Sequence, residues 1–522
     1  MTATLPDHLA GLLRPQAYPH PVEEGVTLVA THISWVLLTG MFAYKIKRPV
    51  CFSFVDLRSP ELRAFFCQEE VRLNRRFAPD LYLEVCPINV AEGAACIGGP
   101  GRAIEYAVKM RQFPHEEQLD NLLAHANIAP AELADFGHDL ASIHARLPVA
   151  DSRRSWGDPQ GVRATILNNL QECTQASVVF DCASAVRALH ADLESHLEAA
   201  APCMADRRNA GRVRECHGDL HAANIVRRQS RLVAFDCMEF KPAFRWIDVA
   251  DEVAFLLTDL DASGHPQHEQ AFLAGYLAYS GDYQGCRLLP LYKAHRALVR
   301  AKVIALSDAG SLAAGPNVEG CSLHHRYVEC AARALTQRHP VLLLISGLSG
   351  SGKTWLAERL APRLGAVHVR SDVERKRLAG LGEHERSDSA LGTGMYSRDR
   401  TRRVYDRLGS AAEDVLAGGY TAIIDATFAR RYDRHVFRRL ADRLGVRAKL
   451  IQCRAPHEVL VGRVVERDSQ GSDASEADVA VLDWQEEHWE PVGVDEQWSL
   501  LSVETTQMDL EDLCQQISGL QR

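Results

Sequence analysis

The sequence lacks several features that would place it in a specialised class. Its fourteen cysteines are dispersed and no two stand in a C-x-x-C spacing, which disfavours zinc and thioredoxin-like sites. No apolar stretch approaches the roughly 20 residues that span a bilayer, and no charged start precedes an apolar run near the N-terminus. Acidic residues number 68 against 59 lysines and arginines, so a uniformly basic nucleic-acid-binding surface is excluded. We therefore expect a cytoplasmic protein without a membrane segment.

The remaining composition is that of an ordinary globular protein, with 46% hydrophobic and 24% charged residues in 522. Residues 1–110 contain short β-branched and aromatic runs around one helical stretch, which predicts a mainly antiparallel sheet. Residues 111–335 have a helical pattern interrupted by a hairpin, with a break at 313–317 and one more helix at about 324–337. Residues 341–522 alternate strand and helix, which predicts an α/β domain with a parallel sheet.

A complete phosphate-loop motif, GLSGSGKT, stands between an apolar strand and an amphipathic helix. Gly347, Gly350 and Gly352 let backbone N–H groups turn towards phosphate oxygens. Lys353 would reach the β- and γ-phosphates, and the hydroxyl of Thr354 would bind Mg²⁺. The motif predicts that this domain binds ATP or GTP together with Mg²⁺.

Two carboxylates follow predicted strands of the same domain. Asp372 follows VHVRS, where it would accept the proton of an attacking hydroxyl or only cap the next helix. Asp425 ends TAIID, and three roles stay open for it: orienting the magnesium water, acting on substrate, or anchoring the loop. Arg463 and Arg467 are four residues apart on one helix face, which is either a lid over the γ-phosphate or a solvated surface.

This C-terminal half resembles the small P-loop kinases grouped with gluconate kinases, zeta-type toxins and polynucleotide 5′-kinases. The resemblance is carried by GLSGSGKT, by RSD and IIDATF at two strand ends, and by the arginine-bearing segment before DASEAD. It implies transfer of phosphate to a hydroxyl group and says little about which molecule carries that hydroxyl.

The first half contains a second set of phosphate-handling residues, in HGDLHAANIV and the following FDC. Asp219 has the chemistry to act on an acceptor hydroxyl, and Asn224 and Asp236 offer oxygen ligands for Mg²⁺. The five-residue step from Asp219 to Asn224 matches H-R-D-L-x-x-x-N. A metal pair at His217 and His221 is the alternative, but it needs a helix and the stretch lies between a loop and a strand.

The sheet upstream supplies a cation for the phosphates. Lys45 stands on a strand two residues after a small residue, as in V-A-I-K, and Lys47 on the same strand face is its competitor. Glu70 lies on the helix that should pack beside this strand and would pair with Lys45. Glu69 is the neighbouring alternative, and an exposed helix face remains a third.

Residues from about 26 to 335 resemble the aminoglycoside phosphotransferase and choline kinase branch of the protein-kinase-like fold, on HGDLHAANIV, FAYKIKRPV and EYAVKM. The resemblance implies a two-lobed α+β kinase-like domain in which Asp219 is the catalytic base and Asn224 and Asp236 ligate magnesium. The chain departs from protein kinases by having only Gly40 before Lys45 and Cys237 after Asp236.

Together the halves resemble bacterial fusion proteins that join an aminoglycoside-phosphotransferase-like domain to a P-loop kinase. They predict a bifunctional ATP- and Mg²⁺-dependent phosphotransferase acting on hydroxyls of small molecules such as sugars, amino sugars or nucleosides. One alternative is polynucleotide 5′-hydroxyl phosphorylation, because RRVYDR and ARRYDRHVFRR are rich in arginine. The other is a nucleotide-sensing regulatory protein. The sequence indicates neither the oligomeric state nor whether the two sites act in series.

Overall fold

The computed structural model describes residues 4–52, 55–91, 93–309, 318–382, 385, 397–470 and 474–519. The chain forms two compact units. The first unit comprises Met1–Glu132, Ile143–Gly161 and Arg207–Asp259, and the second comprises Leu133–Ser142, Val162–Asp206 and Leu260–Arg522. These units cut across the helical segment predicted at 111–335, so the segment boundaries read from the sequence stay predictions.

The first unit begins with a six-stranded antiparallel sheet that carries one helix, as the sequence predicts. The strand order is β1-β2-β3-β8-β6-β7, and β4 and β5 form a separate small hairpin. The helix α1 begins at Pro60, with the Ser59 side chain accepting a hydrogen bond from the backbone of Leu62 at its N-terminus. The bounds are β1 (Thr27–Ala30), β2 (Ser34–Leu38), β3 (Phe42–Lys47), β4 (Cys51–Phe52), β5 (Val55–Asp56), α1 (Pro60–Asn74), β6 (Tyr82–Ala91), β7 (Ala94–Ile97) and β8 (Ala103–Arg111).

A mainly helical stretch follows, and the hairpin predicted within it is present as β10 and β11, which pair antiparallel. Gln229 and Ser230 at its tip both have positive φ, as in a two-residue turn of a twisted hairpin. The bounds are α2 (Leu119–Ala124), α3 (Pro130–Arg146), α4 (Pro159–Ala176), α5 (Ala183–Ala188), α6 (His190–Asn209), β9 (Val213–Glu215), β10 (Ile225–Arg228), β11 (Arg231–Ala234), α7 (Pro242–Arg245), β12 (Trp246–Asp248), α8 (Val249–Ala262), α9 (Pro266–Ser280), α10 (Leu289–Ala309) and α11 (Val318–Leu335).

The bounds of the last of these helices, α11, differ from the prediction. The sequence predicts a helix at about 324–337, whereas α11 begins at Val318 and ends at Leu335. Its first buried residue is His324, so the turns before it are solvent-facing and show no apolar periodicity. The predicted break at 313–317 lies outside the described residues.

The α/β domain has a five-stranded sheet in the order β14-β15-β13-β16-β17, and every neighbouring pair is parallel. Strands β13 and β15 are buried along their whole length, which places the core beneath the phosphate loop. The bounds are β13 (Val341–Ser346), α12 (Lys353–Leu364), β14 (Ala366–Arg370), α13 (Ser371–Leu378), α14 (Arg398–Ala417), β15 (Thr421–Asp425), α15 (Arg431–Leu444), β16 (Arg447–Arg454), α16 (His457–Gln470), α17 (Val479–Glu487), β17 (Leu500–Glu504) and α18 (Leu510–Ser518).

None of the helices in the described ranges combines the length and the apolar character needed to cross a membrane. All fourteen cysteines are free thiols, in agreement with their dispersed spacing in the sequence.

Candidate active sites

The loop between β9 and β10 brings the predicted residues of the first site together. The amide Nδ2 of Asn224 donates to the carboxylate Oδ2 of Asp219 at 3.1 Å and to the Asp219 carbonyl at 2.9 Å. The imidazole of His217 is buried, and its Nε2 lies 2.9 Å from the carbonyl oxygen of Phe235. Nε2 of His217 thus contacts the backbone of Phe235, and residues 217–221 are not helical, which disfavours a metal pair with His221.

Glu252 anchors this loop, and sequence reasoning missed it. Its carboxylate accepts hydrogen bonds from the backbone N–H of His217 at 2.9 Å and of Gly218 at 2.7 Å, and it lies 3.0 Å from Nε2 of His144. Burial alone would raise the pKa of Glu252, but these partners outweigh it and lower the pKa to about 2. Gly218 has φ +86°, and a Cβ there would lie 2.8 Å from the carbonyl oxygen of Phe244, so the loop packs too closely for another residue.

The predicted ion pair between Lys45 and Glu70 is present, with 2.9 Å between Nζ and Oε1. The ammonium group of Lys45 also contacts the carboxylate of Asp236, which follows β11 with φ +65°. The backbone N–H of Asp236 donates to the hydroxyl of Tyr82 at 3.1 Å. Burial would lower the pKa of Lys45, but the carboxylates of Asp236 and Glu70 outweigh it and raise that pKa well above the usual lysine value.

Lys47, the competing cation, forms buried ion pairs within the domain. Its side chain is fully buried, and Nζ lies 2.7 Å from Oε2 of Glu70 and 2.5 Å from Oε1 of Glu239. Glu70 therefore bridges both lysines, whereas Glu69 pairs with an arginine of its own helix. Burial raises the pKa of Glu239 to about 7 despite the attraction of Lys47. Glu239 lies far from Lys47 in the sequence, and no motif marks it.

In the second unit, the phosphate loop has the tight packing that its glycines require. Gly350 and Gly352 have φ of +79° and +84°, and a Cβ on Gly350 would lie 2.6 Å from the carbonyl oxygen of Leu460. The helix α12 begins directly at Lys353, whose Nζ donates to the carbonyl of Leu348 at 2.8 Å. Burial lowers the pKa of Lys353 below the usual lysine value.

The two predicted carboxylates, Asp372 and Asp425, have different surroundings near the phosphate loop. The hydroxyl of Thr354 donates to Oδ2 of Asp425 at 2.7 Å, and Nε2 of His368 lies 3.3 Å from the same oxygen. Burial would raise the pKa of Asp425, but His368, Lys353 and Thr354 together lower it. Asp372 lies in the first turn of α13, for which Arg370 is the N-cap, so the alternative of a helix cap is wrong.

Asp372, Asp425, Arg463 and Arg467 all line one cavity of about 530 Å³ together with the phosphate loop. The guanidinium of Arg463 donates to the carbonyl of Gly350 at 3.2 Å, and that of Arg467 donates to the carbonyl of Ala477 at 2.7 Å. The arginine pair thus faces the cavity rather than only solvent.

Some arginines of the two segments that suggested polynucleotide binding form ion pairs within the domain. Arg407 forms an ion pair with Glu374 at 3.0 Å, and the buried Arg434 forms one with Glu496 at 2.8 Å. These two guanidinium groups are therefore not part of a basic surface.

Comparison with known families agrees with this geometry. Residues 63–289 match the model of the phosphotransferase enzyme family. The first half thus contains a phosphotransferase-family domain. Residues 342–492 match a model described as an AAA domain, which covers the phosphate loop, Asp372, Asp425 and both cavity arginines. The chain is an ATP-dependent kinase built from a kinase-like phosphotransferase domain and a P-loop kinase domain.

Curated relatives match most of the length of the chain. An uncharacterized protein of Mycobacterium tuberculosis is 29% identical over 475 residues, which are 90% of this chain and 92% of that protein. A protein of Mycobacterium bovis matches to the same extent.

Several solved structures are each similar to part of the chain. A choline/ethanolamine kinase family protein from Mesorhizobium loti covers 60% of this chain and 92% of its own, at 11% identity and a TM-score of 0.34. A gluconokinase from Sinorhizobium meliloti covers 35% of this chain and 93% of its own, at 18% identity and a TM-score of 0.26.

Proposed function

We propose that the chain is a bifunctional phosphotransferase that uses ATP and Mg²⁺ to phosphorylate hydroxyl groups of small molecules at two separate sites. Sugars, amino sugars and nucleosides have hydroxyls of the required kind. The observation that carries the proposal is that each site combines a lysine, an aspartate for the acceptor and further oxygen atoms that could bind Mg²⁺, close together in one loop or around one cavity.

At the first site, Asp219 removes the proton from the acceptor hydroxyl. The hydroxyl oxygen forms a bond to the γ-phosphorus while the bond to the β,γ-bridging oxygen breaks, and ADP leaves. Lys45, held by Glu70, binds the phosphates. Asn224 and Asp236 offer oxygen atoms, which Mg²⁺ prefers, and they are the residues that would hold it.

At the second site, the contact between Thr354 and Asp425 supports a role for both residues on the magnesium side of the nucleotide. Asp372 is then the base that accepts the proton of the acceptor hydroxyl. Arg463 and Arg467 neutralise the charge that develops on the transferred phosphoryl group. At both sites, bound Mg²⁺ neutralises charge on the β- and γ-phosphates.

The test uses Asp219→Asn and Lys353→Ala in the full chain, with ADP release and labelled product measured on an acceptor panel. Asp219→Asn should keep nucleotide affinity but lower turnover at the first site by about 10² to 10⁴-fold. Lys353→Ala should abolish nucleotide binding at the second site only. Matched controls are Asp151→Asn and Lys449→Ala, which lie outside both sites.

Three outcomes would contradict the proposal, each for a different reason. Loss of both activities in either variant contradicts two independent sites. Unchanged ADP release in both variants supports the alternative of a nucleotide-sensing regulatory protein. Incorporation of label into an oligonucleotide, and not into small molecules, supports the polynucleotide alternative.

A further inference from the structure

A segment that precedes the P-loop domain in the sequence packs against that domain within the second unit. Residues 281–287, which we call the anchor segment, follow α9 and include the short helical turn Tyr283–Arg287. They lie inside residues 63–289, which match the phosphotransferase family model, and outside the P-loop match of residues 342–492. The anchor segment and the α/β domain nevertheless belong to one compact unit, since both fall within Leu260–Arg522.

The anchor segment is fixed to α14, the helix that follows α13. Nε of Arg287 donates to Oδ1 of Asp414 at 2.5 Å. The end of α14 lies so close to the anchor segment that a Cβ on Gly418 would be 2.2 Å from the carbonyl oxygen of Cys286. Because backbone packs directly on backbone here, the anchor segment has little freedom to move relative to α14.

Glu374 joins the anchor segment to α13. Its side chain is fully buried, and Oε1 accepts a hydrogen bond from the hydroxyl of Tyr283 at 3.1 Å. Oε2 accepts one from Nε of Arg407 at 3.0 Å, and Nη2 of Arg407 donates to the carbonyl of Gly281 at 2.5 Å. The guanidinium of Arg377 also contacts Oε1. These contacts hold α13 in one arrangement, because moving Glu374 away would leave buried charged groups without partners.

Glu374 and Asp372 lie on opposite faces of the first turns of α13. A helix turns by about 100° per residue, so residues two positions apart are separated by about 200° around its axis. Asp372 lines the cavity together with the phosphate loop, whereas Glu374 contacts the anchor segment. The start of α13 thus lies between the cavity and the anchor segment, and the contacts of Glu374 fix where Asp372 meets the cavity.

Resting on the proposed function, we propose that Glu374 is a positioning residue of the second site, which Tyr283 of the anchor segment holds in place so that Asp372 meets the acceptor hydroxyl. Asp372 must lie within hydrogen-bond distance of that hydroxyl while the hydroxyl oxygen is in line with the γ-phosphorus. A misplacement of about 1 Å can lower a rate by about 10²-fold. Phosphate transfer by the P-loop domain then depends on a residue of the phosphotransferase-family segment.

The test uses two variants of different strength in full chains that carry Asp219→Asn, so that only the second site transfers phosphate. Tyr283→Phe removes one hydrogen bond to Glu374 and leaves its ion pairs in place, so the fold is retained. Glu374→Gln removes the buried charge and is the stronger perturbation. The matched controls are Tyr279→Phe and Glu511→Gln, whose side chains are exposed on α9 and α18.

Transfer is measured with ATP labelled at the γ-phosphate and a small-molecule extract of the organism's own cells as the source of acceptors. We expect Tyr283→Phe to lower the rate by about three-fold or more and Glu374→Gln by about ten-fold or more. The Kd for ATP should change by less than about two-fold, because neither residue is among the described residues that line the cavity. Unchanged rates in both variants, or equal losses in the two controls, overturn the proposal.

A double-mutant cycle with Asp372→Asn separates positioning from a general loss of structure. If Glu374 acts through Asp372, Tyr283→Phe should change the residual rate by less than about 1.5-fold once Asp372 is replaced. An equal fold-loss with and without Asp372 overturns the positioning role.

Hydrogen exchange of the α13 amides gives a measure that needs no acceptor. We expect exchange over Ser371–Leu378 to be about three-fold faster or more in Tyr283→Phe and unchanged in Tyr279→Phe. Equal exchange in the two variants shows that the anchor segment does not hold α13 and overturns the proposal. Absence of label transfer by the Asp219→Asn chain itself rejects the proposed function and this inference with it, whereas transfer that the variants leave unchanged rejects only the inference.

Discussion

Replacing Glu252 by glutamine tests whether a buried charge holds the loop that presents Asp219. The carboxylate accepts two backbone N–H groups of the loop and is fully buried. The lowering of its pKa from 4.5 to about 2 corresponds to about 3 kcal/mol, because each pKa unit is worth about 1.4 kcal/mol. Glutamine keeps the shape of the Glu252 side chain but has only one acceptor oxygen. Its NH₂ group would face one of the two backbone N–H donors.

We therefore expect Glu252→Gln to lower the free energy of unfolding by about 3 kcal/mol at pH 7, measured by urea denaturation. Because the folded-state pKa is depressed, this contribution is present above about pH 4.5 and is lost as the pH falls towards 2. The difference in the free energy of unfolding between the variant and the parent protein should therefore shrink as the pH falls from about 4.5 towards 2. Glu84→Gln is the control, since its pair with Lys109 is exposed and should contribute less than about 1 kcal/mol. A change at Glu252 below about 0.5 kcal/mol, or one independent of pH, refutes the reasoning.

Three further predictions concern the buried charges and the phosphate loop. Gly350→Ala should abolish nucleotide binding at the second site, measured by titration calorimetry, because its Cβ would meet the carbonyl of Leu460 at 2.6 Å. Lys45→Met should raise the KM for ATP at the first site, whereas Lys47→Met should lower stability by about 3–5 kcal/mol, since it removes the ion pair of the buried Glu239. Burial raises the pKa of Glu239 to about 7, so its contribution to stability is lost as the pH rises from 4.5 through 7, and Glu239→Gln should flatten that decline in Tm.

The parts of the sites that the sequence predicts are those set by local chain geometry. The phosphate loop needs Gly350 and Gly352 at fixed offsets from Lys353, so its motif is readable without any tertiary contact. The step from Asp219 to Asn224 is likewise local, and the structure joins the two by a hydrogen bond. Such residues are recognisable because their neighbours in space are also their neighbours in sequence.

The parts that the sequence does not predict depend on long-range pairing. Lys45 and Lys47 share a strand face, and only Glu239, on a distant segment, makes Lys47 the buried structural one. His368 reaches Asp425 because the parallel register pairs Arg370 with Asp425, and a sequence specifies no such register. Contacts of this kind become visible only when the sheet is assembled.

The two sites hold their positive charge in opposite ways, and this difference has a consequence for how each receives its nucleotide. At the first site, Lys45 already contacts Glu70 and Asp236, so a phosphate must replace one carboxylate at the ammonium group. Asp236 would then face the incoming phosphates, and a bound divalent cation would reduce the repulsion between them. At the second site, Nζ of Lys353 donates instead to the neutral carbonyl of Leu348, so we expect an incoming phosphate to replace a neutral partner there. We therefore expect nucleotide binding to depend more strongly on Mg²⁺ at the first site than at the second.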